Sequence, residues 1–259
     1  DAFSGTDATD NTLIGYDAGT EITTGDANTF VGSKAGDNNT TASFNTAVGH
    51  KAFDANTTGA DNVAIGYLTL DANTTASYNT AVGSQSMTLN TTGHSNAALG
   101  YQALEVNTTG NYNTAVGIVA LDKNTTASNN TACGYGGLNS NTTGANNTAV
   151  GYLSLAAATT AVKNAALGAS ALYNATTGSY NTGIGAEALE QTTTGEQNTA
   201  VGTFALDANT TGNYNTGLGV HALGANTTGA DNTAVGKSAL AANTTASYNN
   251  AFGLDALLT

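Results

Sequence analysis

Asn113-Thr114-Ala115-Val116-Gly117 is one rung of a pattern that fills the chain. The glycine of this Asn-x-x-x-Gly motif returns every 17 residues from Gly15 to Gly253, with no insertion or deletion. So strict a register means that every unit sits in the same environment and touches its neighbours in the same way. A length of 259 residues would ordinarily suggest one or two globular domains, but the repeat overrides that prior and predicts one elongated solenoid. Counting each unit from its asparagine, the consensus is Asn-Thr-Ala-Val-Gly-x-x-Ala-Leu-x-x-Asn-Thr-Thr-Gly/Ala-x-x. Residues 1–10 are the tail of a preceding unit with Thr6 in register, 11–248 are fourteen complete units, and 249–259 begin one more.

The pattern predicts an all-β fold, a β-roll or β-helix of about fifteen 17-residue repeats. Asn, Thr and Gly at these densities are poor helix formers, and the apolar spacing is not 3.6. Short strands turned by Gly and Asn fit instead, with a brief helical turn conceivable over the sixth to tenth positions, as at Tyr101–Glu105. One Val and one Leu per unit cannot offset the backbone entropy of 17 ordered residues, so units must stack. Stacking about 4.8 Å apart recovers backbone ladder bonds and makes columns of like side chains. Asn45, Asn79, Asn113, Asn147, Asn181 and Asn215 then form an amide ladder. Gly49, Gly83, Gly117, Gly151, Gly185 and Gly219 supply a positive φ or a close approach of backbones at a corner. The aliphatic fourth position and the leucine at the ninth are the expected core pair. Cys133, in the fourth column, is expected to be a small buried hydrophobe.

One position breaks the 17-residue symmetry. The last residue of the unit is aromatic in alternate units, at Phe44, Tyr78, Tyr112, Tyr180, Tyr214 and Tyr248, with Asn146 the exception. Either a coil of 17 residues carries a ring on every second rung, or paired 34-residue units carry one on every rung; the first fits the other columns better. The aromatic column is a candidate for assembly, as packing or a subunit seam, or for ligand binding.

Composition narrows the function. There are 32 glycines, no proline, no tryptophan and only 9% charged residues, with a net charge of −13. All five basic residues are scattered lysines, which gives no cationic stripe for nucleic acid and no attraction to anionic membranes. No apolar run is long enough to span a bilayer, and Asp1 opens no signal peptide, so the start reads as that of a mature or trimmed protein. His50, His94 and His221 fall at different positions of distant units, so neither a metal site nor a hydrolytic triad is expected. No cofactor and no enzymatic activity are expected. Ten units carry Asn-Thr-Thr, at Asn39, Asn56, Asn73, Asn90, Asn107, Asn124, Asn141, Asn209, Asn226 and Asn243. Each is an N-glycosylation sequon, with turn and ladder chemistry as the competing role.

The motif Asn-Thr-Ala-Val-Gly-x-x-Ala-Leu resembles the repeats of trimeric autotransporter adhesin heads. It is more similar still to the Asn-Thr-Ala-Ile-Gly arrays of bacterial surface proteins and phage tail fibres. The resemblance implies a left-handed β-roll, assembly as a trimer and display on a cell or virion surface; the 17-residue unit is longer than the usual head repeat. The expectation is therefore a non-enzymatic extracellular fibre or adhesin shaft. It would self-associate as a homotrimer, or head to tail through its partial units into a filament, and surface glycans are possible partners. Ice binding through columns of paired threonines, such as Thr57-Thr58 and Thr74-Thr75, is the alternative; adjacent residues on a strand point to opposite faces, so only one of the two columns can face out.

Overall fold

The computed structural model describes residues 8–258; Thr6, the chain start and Thr259 lie outside it. The chain divides between Asn129 and Asn130 into two compact units. The first carries strands β1 (Thr12–Ile14) to β7 (Thr114–Val116), and the second β8 (Thr131–Cys133) to β15 (Asn250–Phe252). Each unit is a parallel β-solenoid in which a strand pairs with the strand one repeat later. Thr80 lies opposite Ala97, Ala81 opposite Ala98 and Val82 opposite Leu99. The partner of each residue is thus 17 positions on, so one coil has 17 residues, not 34. No helix is long and apolar enough to cross a membrane among the described residues.

The strands are only three residues long because their ends are fixed chemically. The glycine after each strand has φ between 122° and 142°, a region that side chains rarely enter. A Cβ on Gly219 would lie 2.6 Å from the Gly236 carbonyl oxygen and 2.7 Å from its carbon, so the requirement is also steric. The helical turn considered for the sixth to tenth positions is absent. Gln102 and Leu104 take left-handed φ values of 53° and 57°, and the same alternation recurs in the other coils. A left-handed conformation costs a side-chain-bearing residue about 1–2 kcal/mol. Coil-to-coil bonding offsets it, because the turn aims its amides along the stack: Gln102 N–H donates to Ser84 O at 3.1 Å and Leu104 N–H to Ala120 O at 2.9 Å. Backbone bonding therefore surrounds the coil instead of being confined to the strand. In one coil Thr80, Gly83, Gln85, Met87, Leu89, Thr91 and Ser95 all donate to a neighbouring coil, at 2.8–3.2 Å.

The core differs from the expected one. Along Thr-Ala-Val the middle residue points inward: Ala81, Ala115 and Ala149 are fully buried, while the fourth position faces outward. The interior is narrow because leucine from the ninth position fills it, as do Leu104, Leu121 and Leu172, all without exposed surface. A small third residue and a large ninth residue are thus complementary. The first coils confirm the rule by exchanging roles. Phe30 fills the interior from the third position where the ninth is Gly36, and a Cβ on Gly36 would run into the Phe30 ring. Such a swap keeps the packed volume constant.

Two asparagine files complete the interior. At the first position Asn79 Oδ1 accepts the Asn96 N–H at 3.0 Å, and Asn79 Nδ2 donates to Gly93 O at 2.9 Å, which closes the coil. At the twelfth, Asn90 Nδ2 donates to Asn73 Oδ1 at 3.0 Å and to Gly93 O at 2.8 Å. Buried amides are tolerable here because each is both donor and acceptor and meets its own kind above and below.

Candidate functional site

With the interior filled by positions 1, 3, 8, 9, 12 and 15, the chemistry open to partners lies in the outward columns. The strand face presents the second and fourth positions. The second is mostly threonine, half-exposed at Thr46, Thr114 and Thr148, and the fourth is Val, Ile or Leu except at Cys133 and Phe252. Leu99 is 51% exposed and Ile65, Val150, Leu167, Ile184 and Val201 are exposed as well. Cys133 belongs to this column and is exposed, not buried, because the strand pleat turns its side chain away from the core. Neither column contains a charged residue, although the chain carries −13 overall. The threonine pair of the turn behaves differently. The first of most pairs is half-buried and committed, as where Thr91 Oγ1 donates to Thr108 O at 3.0 Å, whereas the second, such as Thr75 or Thr92, is exposed.

The aromatic residues of the last position stand outside on every second coil. Phe44, Tyr78 and Tyr112 belong to the first unit and Tyr180, Tyr214 and Tyr248 to the second, and all are at least half exposed. A residue of the preceding coil, at the same or the sixteenth position, touches the ring in several places. His94 packs edge-on against Tyr112 with centroids 5.1 Å apart, Lys163 Nζ lies 5.1 Å over the Tyr180 ring, and Gln197 Nε2 donates to Tyr214 Oη at 3.3 Å. A second aromatic group escaped the sequence reading. The sixth position holds Tyr16, Tyr67, Tyr101, Tyr135 and Tyr152, all exposed; Tyr135 and Tyr152 stack at 5.5 Å, and His50 stacks on Tyr67 at 5.7 Å. Their recurrence at one position of the unit was visible in the sequence, but irregular spacing along the column hid it.

The ten sequon asparagines do not offer attachment points in the folded coil. Asn39, Asn56, Asn73, Asn90, Asn107, Asn124, Asn141, Asn209 and Asn226 are completely buried. Their amides serve the twelfth-position file, as where Asn107 Nδ2 reaches Asn90 Oδ1 at 2.7 Å. Asn243 is half-buried and still donates to Asn226 Oδ1 at 2.9 Å. A glycan on Nδ2 would displace the neighbouring coil.

Charged groups gather only locally. Asp37, Asp54 and Asp71 follow one another in the tenth column beside Lys34 and Lys51, with Lys34 to Asp37 at 3.3 Å and Lys51 to Asp54 at 3.7 Å. The hydrogen bond and charge of Asp37 raise the Lys34 ammonium above its ordinary value. Burial, then the neighbouring Asp54, pushes the Asp71 carboxyl up, and burial likewise raises Asp207. Among the described residues no group of three or more His, Cys, Asp or Glu could hold a metal ion. His50, His94 and His221 each pack against a different aromatic ring, Tyr67, Tyr112 and Phe204. No protein-family model matches the chain, and no curated protein matches it.

Proposed function

We propose that this chain is a segment of a non-enzymatic extracellular fibre or adhesin shaft whose copies associate side by side through the strand face. The observation that carries the reading is the uncharged Thr/aliphatic face at the second and fourth positions, exposed on an otherwise acidic chain. Contiguous exposed apolar surface marks association sites, and a column that repeats at every coil suits a partner with the same repeat, which a second copy has. Coils bonded on all sides provide the stiffness a shaft needs. The resemblance to adhesin heads and tail-fibre arrays points the same way.

Sedimentation equilibrium of the protein and of the double variant Val82→Asp/Val201→Asp tests this. The protein is expected to sediment as a trimer or larger assembly and the variant as a monomer with an unchanged circular dichroism spectrum. A monomeric protein at concentrations of about 100 µM, where even weak specific interfaces assemble, would overturn it.

A second reading rests on the geometry of the same face. In-register strands about 4.8 Å apart, with like-facing residues about 6.8 Å apart along each strand, make a flat grid of threonine and aliphatic side chains. Such a grid can order water as ice does. It would use Thr114 and Val116 and their equivalents, not the paired threonines of the turn. Thermal hysteresis from a monomeric protein, lost in the double variant, favours this reading; its absence removes it.

A further inference from the structure

The aromatic file at the last position is unexplained by folding. Each of its residues occupies the left-handed region, from 57° at Tyr112 to 64° at Tyr78 and Tyr248. That conformation suits Asn and Asp, which stand at the same place in other coils (Asn129, Asn146, Asp61, Asp231), and it disfavours a bulky ring. Burial does not compensate, because Tyr78 remains 65% exposed and Tyr248 79%. Six aromatic residues thus sit where the backbone disfavours them and the core gains little. Their contribution must lie in what they touch outside.

The backbone beneath each ring is braced. In all six aromatic coils the preceding residue is Ser or Asn, and its side-chain oxygen accepts the N–H of the coil before, as from Ala60 to Ser77 Oγ at 3.0 Å and from Glu196 to Asn213 Oδ1 at 2.7 Å. Between rings the file carries polar residues: Asp61, Ser95, Gln197 and Asp231. Beside it runs the exposed threonine column, and Thr75, Ala76, Ser77, Tyr78, Thr92 and His94 line one shallow groove that spans both. Rings alternating with hydrogen-bonding groups match a saccharide, whose C–H faces pack on aromatic rings while its hydroxyls bond to amides, carboxylates and alcohols.

We infer that within each unit the three rings of this file form a binding strip for a neutral, extended, β-linked polysaccharide lying along the coils. Within each unit successive rings are two coils apart, about 9.5 Å. That is close to the length of a disaccharide, the distance after which an extended β-1,4 glycan presents the same face again. Each further disaccharide therefore meets another ring, and affinity grows with chain length. A net charge of −13 excludes polyanionic glycans from the same strip.

Native electrophoresis through gels containing hydroxyethyl cellulose, β-mannan or alginate tests the strip, with calorimetry on cellohexaose and cellobiose. The two neutral glycans are expected to retard the protein and alginate to leave it unaffected. Cellohexaose should bind at least tenfold more tightly than cellobiose. The variant Tyr180→Ser/Tyr214→Ser/Tyr248→Ser, which keeps only the rings of the first unit, should be retarded clearly less by both neutral glycans while its melting temperature and its mass by sedimentation stay unchanged. Three results overturn the inference: no retardation by either neutral glycan, undiminished retardation of the variant, or a variant that loses assembly instead, which would make the file a subunit seam. Because mass and retardation are read separately, failure of this strip is distinguishable from failure of the strand face to associate.

Discussion

Two asparagine files run through the interior, and they tolerate replacement differently. At the first position asparagine stands in all fifteen units, whereas the twelfth also accepts Ile22, Ala158, Ala175 and Thr192. The difference lies in which backbone groups each file serves. A first-position Oδ1 accepts a main-chain N–H of the next coil, as from Asn96 to Asn79 and from Asn215 to Asn198, at 3.0 and 2.9 Å. Without that oxygen a buried amide in another coil has no acceptor. A twelfth-position residue satisfies its own N–H within its turn, with or without an amide side chain: Asn90 donates to Met87 O at 3.1 Å, and Ala175 to Leu172 O at 3.1 Å. Its side chain bonds to other side chains of the same file, to a carbonyl that the first-position amide also reaches and, at Asn56, to the Gly59 N–H of its own turn at 3.1 Å. Where the file is interrupted at Ala158 and Ala175, neither residue brings a side-chain polar group of its own into the core.

The sharpest way to break this comparison is Asn79→Ala. It orphans the Asn96 N–H and leaves a small void, for a loss of about 2–4 kcal/mol. Urea unfolding should shift accordingly, and the Asn96 amide should lose protection against hydrogen exchange. Continued protection would show that another acceptor substitutes and that the invariance has a different cause. Asn90→Ala, at the same depth, should cost only about 1–2 kcal/mol, since it unpairs side-chain groups of Asn73 and Asn107 alone. Exchange at Asn96 should then stay slow. Equal losses for the two variants would remove the distinction between the files.

The same contrast shows what could be read from the sequence. Coil length, parallel stacking and the alternate aromatic rungs were legible because they depend only on period, and period survives any local geometry. Which face each residue takes was not. Thr-Ala-Val allows either Ala or Val to point inward, and hydrophobicity alone favours Val116 and Cys133 for the core. The interior admits only alanine at that point because leucine at the ninth position already crosses it, and that leucine is aimed by a left-handed backbone no propensity scale would assign to Leu104 or Leu121. The ambiguity therefore lay in six turn residues, not in the strand. Glycine illustrates the limit too. A Cβ would crowd a neighbouring coil at Gly229 as well as at Gly219, yet alanine occupies the Gly229 column at Ala42 and Ala246. The Gly219 column combines backbone crowding with φ above 120°, and only there is glycine found in every unit.

The tenth column extends the comparison from amides to carboxylates and carries the smallest expected effect. An amide file is self-satisfying, but stacked aspartates are acceptors only: the buried Oδ1 atoms of Asp54 and Asp71 have no hydrogen-bond partner, and the charge of Asp54 adds to the cost of ionising Asp71. The Asp71 carboxyl is raised above its ordinary value of 3.8 in the folded state, chiefly by burial and then by Asp54. Folding thus favours its protonated form. Its ionisation penalises the fold at neutral pH, and the penalty fades as pH falls through the raised value toward the unfolded one. Asp71→Asn removes the charge, so the variant should melt above the parent at pH 7 by an amount worth less than about 1 kcal/mol, since solvent screens a half-exposed group. Near pH 4 the two should melt together. An advantage that persists unchanged at pH 4 would assign the gain to packing or to a new amide bond. No advantage at pH 7 would mean that Lys51 already neutralises the column.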